Sequence, residues 1–316
     1  MAALNVIAID VGGTKIAGGV VRYQTGRTDP PSVVARVSVS TEASRGGEAV
    51  LQSIVDVAAE LAGRVEGPLA GIGVGAAGVI DPATGAVRSA NDIMPGWAGQ
   101  PIVKRLESEF DMPAAALGDV QAHALGESRW GAARGAQSCL CVGIGTGLGG
   151  AFVVDGRVLR GFHGASGHIG HTLHPAAVGK RCACGSQAHV ETVTSGVGLS
   201  AIYQGKDFLD ELDPALMGDT ISKRASEGEL EAVQVMRDAG FALGEAIGSW
   251  CNTLDPELVV LSGTVTNAGF FWRQALDEGF KSQALDVLAD TPIVYAALGS
   301  DAPIIGAAEA LLDRLE

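Results

Sequence analysis

Basic residues are scarce in this sequence. Its 22 Lys and Arg stand against 36 Asp and Glu, a net charge of −14. Affinity for a nucleic-acid backbone comes largely from Lys and Arg, so this balance argues against a DNA or RNA binder. Nucleotide binding stays open, because backbone N–H groups and a metal ion can carry a phosphate. Long apolar runs are also missing. Each hydrophobic stretch is broken by Gly or by a charge, well short of the roughly 18 residues that suggest a membrane span. Met1 to Asp10 lacks the basic start and small-residue cleavage site of a secretory leader and reads as a buried strand, which makes the cytoplasm the expected location. Cysteines number five at irregular places, which suits a compartment where thiols stay reduced. Neither a G-x-x-x-x-G-K-[ST] phosphate loop nor a low-complexity linker occurs.

What remains is a compact composition, 47% hydrophobic and 18% charged over 316 residues. That length exceeds one ordinary core and suits two lobes. Leu4 to Ile9 and Ile16 to Val21 are apolar runs around the turn Asp10-Val11-Gly12-Gly13-Thr14-Lys15, a hairpin pattern. Val50, Ile54, Val57, Ala58 and Leu61 recur at helical spacing within Gly47 to Val65. Gly71 to Gly78 reads as a strand and Ile102 to Phe110 as a helix. The pattern then restarts: a strand ending at Asp119, a helix to about Arg129, and strands Ser138 to Ile144 and Ala151 to Val154 around a glycine turn. This is a weak internal duplication. Helices are expected at about Gly196 to Tyr203, Leu230 to Leu254, Phe270 to Leu288 and Ile304 to Leu315, with a strand at Leu258 to Ser262. Two α/β lobes around a cleft follow from that alternation.

The first turn places Gly12 and Gly13 where backbone amides can approach an anion, with φ > 0 open to both. Thr14 adds a hydroxyl, Lys15 closes the motif, and Asp10 can hold a metal through water. A second loop, Gly143-Ile144-Gly145-Thr146-Gly147-Leu148-Gly149-Gly150, repeats this chemistry. Either loop alone is more often a plain hairpin turn. Two of them, each flanked by apolar strands, point to a nucleotide gripped at its β- and γ-phosphates.

Asp119 sits where a strand gives way to a helix. Asp there is commonly a helix cap. A kinase, however, needs a carboxylate within reach of the attacking hydroxyl, and beside two phosphate loops Asp119 is the expected base. Five of six His fall between His163 and His189, together with Cys182 and Cys184. Cys182, Cys184, His171 and His189 offer four N/S ligands, the set of a closed structural zinc site. Free thiols with surface imidazoles are the competing reading, and His163 and His174 are taken as surface residues.

Jointly, several motifs resemble the ROK family of repressors, open reading frames and kinases. They are the D-x-G-G-T-K loop at Asp10, Gly75-Ala76-Ala77-Gly78, Ala90-Asn91, Asp119, and the G-x-G-T-G-x-G-G loop. Gly170-His171, the Cys182 to Glu191 stretch, and Asp255-Pro256-Glu257 leading to Gly263 complete them. The resemblance spans essentially the whole chain. It implies an actin-like, ribonuclease H-like α/β fold with an inserted zinc loop at 163–191. The lobes fall at 1–118 and 119–303, with a C-terminal helix at about 304–316 packing back on the first. It also implies phosphorylation of a hexose, usually at O6, with ATP, Mg²⁺ and structural Zn²⁺, in a homodimer. Asp119 becomes the base. Gly78, Asn91, His168, His171 and Glu191 line the sugar, and Asp10, Gly12, Gly13, Thr14, Lys15, Gly145, Thr146, Gly147 and Gly263 hold the nucleotide. His171, Cys182, Cys184 and His189 bind zinc.

Three positions depart from the family pattern: Gly118 for the usual Asn, His168 for Glu, and His189 for the third zinc Cys. Imidazole also binds zinc, so the metal should be retained. Gly118 removes a hydrogen bond to the sugar, and His168 replaces an obligate acceptor by a group that can donate. The Gly167 to Leu173 string and Asp119-Val120-Gln121-Ala122 are similar to those of bacterial N-acetylmannosamine kinases, so N-acetylmannosamine is the expected substrate. Glucose or N-acetylglucosamine phosphorylation and a non-catalytic sugar-binding regulator are the alternatives. A repressor would carry a helix-turn-helix domain ahead of the Asp10 loop.

Overall fold

The computed structural model describes residues 4–24, 27–90 and 94–316. In chain order they form β1 (Leu4–Val11), β2 (Lys15–Tyr23), β3 (Ser32–Ser40), α1 (Gly47–Ala62), β4 (Leu69–Ala76), β5 (Val79–Ile80), β6 (Val87–Ser89), α2 (Ile102–Phe110), β7 (Ala114–Gly118) and α3 (Asp119–Trp130). Next come β8 (Ser138–Ile144), β9 (Leu148–Val154), β10 (Arg157–Val158), α4 (Glu191–Thr194), α5 (Gly196–Tyr203), α6 (Gly218–Ser226) and α7 (Leu230–Leu254). The chain closes with β11 (Leu258–Ser262), α8 (Phe270–Gln283), β12 (Ile293–Tyr295) and α9 (Ala302–Leu315). The fold is α/β with mixed sheets, as the alternation predicts.

Two five-stranded sheets share one pattern, β3-β2-β1-β4-β7 and β10-β9-β8-β11-β12. In each, the first strand is central, the next two lie to one side, and the last two run parallel to it on the other. The duplication expected from the glycine loops is therefore present in the topology. β1 is buried from Val6 to Ile9 because it lies between β2 and β4 with helices on both faces. That explains its unbroken apolar run.

The chain forms two compact units, residues 1–137, 151–167 and 296–316 in one, and 138–150 and 168–295 in the other. Within the first, α1 buries Val50, Ile54, Val57, Ala58 and Leu61, the positions chosen by periodicity. α9 also belongs to this unit and packs on β1, β4 and α3. The division at 118/119 differs from the structure: residues 119–137, 151–167 and 296–303 group with the first unit, α3 among them. For α3 the cause is close helix packing, since a Cβ on Gly306 would sit 1.7 Å from the Ala122 carbonyl oxygen. β3 and α6 were not anticipated. The helix expected to reach Leu288 ends at Gln283, where Ala284 turns extended.

Among the described residues, no helix is long and apolar enough to cross a membrane.

Candidate active site and metal centre

In the first unit, the carboxyl ends of parallel strands converge, the usual place for a ligand in such sheets. Asp10 pairs in register with Gly75, and Gly75 with Leu117, so the Asp10 side chain and the start of α3 share one sheet end. Glycine at 75 permits this: a Cβ there would be 2.8 Å from Ala122 Cβ, 3.7 Å from Asp119 Cα and 3.9 Å from Asp10 Oδ1. Asp119 is the first residue of α3, with Gly118 as the N-cap. Its Oδ1 accepts from the Val120 N–H at 2.8 Å, and the side chain stays partly exposed. The Gly118 N–H donates to Gln121 Oε1 at 3.2 Å, which fixes the helix start.

Burial pushes the Asp10 carboxyl up to about 7, the Asp119 charge adds to the rise, and Lys15 opposes it. Asp10, Asp119 and Lys15 therefore form one electrostatic group. With a folded value near 7 and an ordinary value of 3.8, the group's contribution is fully present below pH 4 and lost as pH rises through 7. Asp10→Asn has no such loss. In metal-free buffer the variant should melt higher than the parent at pH 8, by about 1–3 kcal/mol of stability, and the gap should close by pH 4. Thermal melts across that pH range check this; a gap independent of pH would contradict it.

The first glycine loop is tight. The Gly12 N–H donates to the Lys15 carbonyl at 3.0 Å. Neither Gly12 nor Gly13 has positive φ, so the freedom open to both is not used. Glycine serves here by leaving the backbone uncovered, since the hairpin closes within ordinary dihedrals. Gly13, Thr14 and Lys15 are exposed. Thr41, buried, braces the loop: its hydroxyl donates to the Gly12 carbonyl at 2.7 Å, and its N–H to that of Thr14 at 3.0 Å. Sequence reasoning missed Thr41, which sits far along the chain with no local signal. Gly78 has φ +98°, and a Cβ there would lie 2.7 Å from the Ser89 carbonyl oxygen. Its glycine is thus explained by the β5–β6 hairpin. Asn91 lies outside the described residues.

In the second unit, the Gly145 carbonyl accepts from Gly196 N–H at 2.8 Å and that of Thr146 from Val197 at 3.3 Å, which ties the second loop to the start of α5. A Cβ on Gly145 would meet nothing within 4 Å. The loop faces a cavity of about 390 Å³ lined by Gly145, Thr146, Val197, Thr264, Val265 and Asn267 among others. That volume suits a nucleoside-sized ligand. Gly263 does not line it but turns the chain from β11 toward Thr264. Its φ is +95°, and a Cβ would clash with the Ile144 carbonyl at 2.3 Å.

The His/Cys cluster does assemble. The ligand atoms of His171, Cys182, Cys184 and His189 all lie within 4.8 Å of one another. His171 Nδ1 is 3.1 Å from His189 Nδ1 and 3.6 Å from Cys182 Sγ, and Cys184 Sγ is 3.3 Å from His189 Nδ1. Tetrahedral zinc with N and S ligands spaces its donors about 3.3–3.8 Å apart, so the set fits that ion. Burial depresses the His171 imidazole despite the opposing Glu191 charge, favouring the neutral, ligating form. The Cys182 thiol donates to Glu191 Oε1 at 2.9 Å. Glu191 is buried, and its Oε2 would be 3.3 Å from a Cβ on Gly147. The His/Cys cluster, Glu191 and the second glycine loop are therefore contiguous. His168 is exposed and stacks on His171, ring centroids 6.0 Å apart.

His174, taken as a surface residue, is instead buried, its Nε2 3.5 Å from Glu245 Oε2. The backbone of the loop carries it inward, where its Nδ1 accepts from Ala176 N–H. His163 is exposed. Glu127 is fully buried and accepts from the N–H groups of Ala132, Ala297 and Leu298, a structural role.

The model of the ROK family matches residues 6–314, and the chain belongs to that family. It is 32% identical to a glucokinase from Halalkalibacterium halodurans, over 95% of this chain and 92% of that protein. It is 31% identical to an N-acetylmannosamine kinase from Citrobacter koseri, over 96% of this chain and 98% of that one. A ROK family glucokinase from Streptomyces griseus, solved with glucose and AMPPNP, superposes with a TM-score of 0.78 at 25% identity. That match covers 96% of this chain and 98% of the other.

Proposed function

We propose that this chain is an ATP-dependent sugar kinase that phosphorylates the 6-hydroxyl of a hexose or N-acetylhexosamine, with N-acetylmannosamine as the substrate. The carrying observation is the pair of carboxylates, Asp10 and Asp119, at one sheet end beside the exposed Gly13-Thr14-Lys15 stretch of the first glycine turn. The kinase relatives and the AMPPNP-bound neighbour support the reaction class.

Asp119 orients the sugar hydroxyl and takes its proton as the new O–P bond forms and the bond to the departing ADP breaks. The amides of both glycine loops hold the phosphates, with Thr14, Lys15 and Thr146 beside them. Two neighbouring carboxylates, one held half-protonated near neutrality, fit a divalent cation, and Asp10 is the residue that would hold Mg²⁺. Bound there with ATP, the ion would supply positive charge to the transferring phosphoryl group. Gly78, Asn91, His168, His171 and Glu191 are assigned to the sugar. His171, Cys182, Cys184 and His189 would hold zinc, which would brace the loop that carries His168 and leads to Glu191.

Identity alone does not choose the sugar, because glucokinase and N-acetylmannosamine kinase relatives stand at 32% and 31%. The choice rests on His168 and Gly118. A donor-capable imidazole at 168 reads a C2 substituent differently from a carboxylate. A coupled ADP-release assay over N-acetylmannosamine, N-acetylglucosamine and glucose tests it. N-acetylmannosamine should lead in kcat/KM, and His168→Glu should move the ratio toward glucose by about tenfold or more. Equal efficiency with glucose in the parent protein would defeat the assignment.

A further inference from the structure

The stretch from Arg160 to Gly167 follows β10 and forms turns rather than helix or strand. Gly161, Gly164 and Gly167 hold φ of +74°, +79° and +97°, the left-handed region that favours glycine. Internal hydrogen bonds fold the stretch on itself: Gly164 N–H to the Gly161 carbonyl at 3.3 Å, and Ser166 N–H to that of Arg160 at 3.2 Å. Such a strap has no ladder to fix it, so its remaining backbone groups depend on side chains nearby.

Arg160 holds the start, where its Nη2 donates to the Ala116 carbonyl of β7 at 2.8 Å. The middle lies against β5, since a Cβ on Gly164 would sit 2.1 Å from the Ile80 carbonyl oxygen. Gln121, in the first turn of α3, holds the far end. Its Nε2 donates to the Ser166 carbonyl at 3.1 Å and to that of Gly164 at 3.4 Å. Its Oε1 accepts the Gly118 N–H at 3.2 Å. Capping the helix needs only that acceptor. The donor contacts, 45 and 43 positions away, serve the strap. Gln121 is 5% exposed, so water does not readily replace these partners. One buried amide thus joins the turn that presents Asp119 to the strap, and past Ser166 the chain runs through Gly167 to His168.

We propose that Gln121 is a positioning residue for the sugar: it fixes the strap from which His168 emerges to the helix that begins at Asp119. The inference rests on the sugar-kinase reading above, which assigns both residues to the sugar. Gln121 makes no hydrogen bond to either glycine loop among the described residues, so its loss should separate sugar from ATP.

Steady-state kinetics of the full chain, with the hexose that the parent phosphorylates best, test this in two variants. Gln121→Glu keeps an acceptor for Gly118 and suits a helix N-terminus, but turns an oxygen toward the two strap carbonyls. Gln121→Met removes all of these bonds at similar volume and adds no charge. Sugar KM should rise about tenfold or more in both, while ATP KM stays within about threefold of the parent. Amide exchange from Ser166 to His168 should quicken as well. If one variant fails to fold, the other carries the test. A sugar KM within about twofold of the parent, or an equal rise in ATP KM, overturns the proposal and leaves Gln121 a structural residue. A parent that phosphorylates no sugar defeats the sugar-kinase reading itself, and this inference with it; assaying the parent first tells the two failures apart.

Discussion

Asp119→Asn should lose about a thousandfold in kcat while its affinity for the sugar stays within about threefold of the parent. General-base catalysis contributes about 10²–10⁴-fold, and a thousandfold loss is about 4 kcal/mol of barrier. The substitution is close to isosteric. Its amide oxygen can still accept from the Val120 N–H that Asp119 Oδ1 engages, so α3 should start unchanged. What disappears is the capacity to take a proton and the negative charge beside Asp10. That charge is one cause of the raised Asp10 value. The variant should therefore also move the pH at which the metal-free protein loses stability downward from about 7. Single-turnover kinetics, sugar titrations and pH-dependent melts read the three effects separately. A kcat above a tenth of the parent's would remove Asp119 from the role of base.

Much of this site was legible because its parts are local in sequence. The Asp10 to Lys15 turn lies between two strands whose apolar runs announce a hairpin, and the hairpin is there. Cys182, Cys184 and His189 lie within one short loop, and His171 joins them through the Leu173–His189 bridge. What stayed hidden acts over distance. Thr41 reaches Gly12 across 29 positions, and no pattern around it signals that contact. The burial of His174 depends on α7, which supplies Glu245. The grouping of α3 with the first unit depends on how closely Gly306 lets α9 approach, which no periodicity encodes. The glycine loops illustrate a different gap. Composition correctly marked bare backbone, but glycine permits many conformations and does not say which one is used.

The His/Cys cluster offers the second large effect, and Cys184 is where it is best read. This thiol is exposed, unlike Cys182. Without a bound ion, Cys184→Ser would be an ordinary surface change, within about ±0.5 kcal/mol. With zinc held as the ligand spacing allows, the same change removes one of four donors. The variant should lose its metal and about 3 kcal/mol of stability, a fall in Tm on the order of 5–10 °C. Glu191 links the cluster to the second glycine loop through Cys182 and Gly147. Metal loss should accordingly raise the sugar KM about 10–100-fold, a larger change than that in ATP KM. His189→Cys should keep both metal and activity, because it exchanges one good zinc ligand for another. Metal analysis of the purified chain, expected at one zinc per chain, accompanies the melts and kinetics. Prolonged chelation of the parent should reproduce the Cys184→Ser phenotype. A parent that purifies without zinc, and whose melting and KM are changed neither by chelation nor by Cys184→Ser, would show that these four side chains meet without holding an ion.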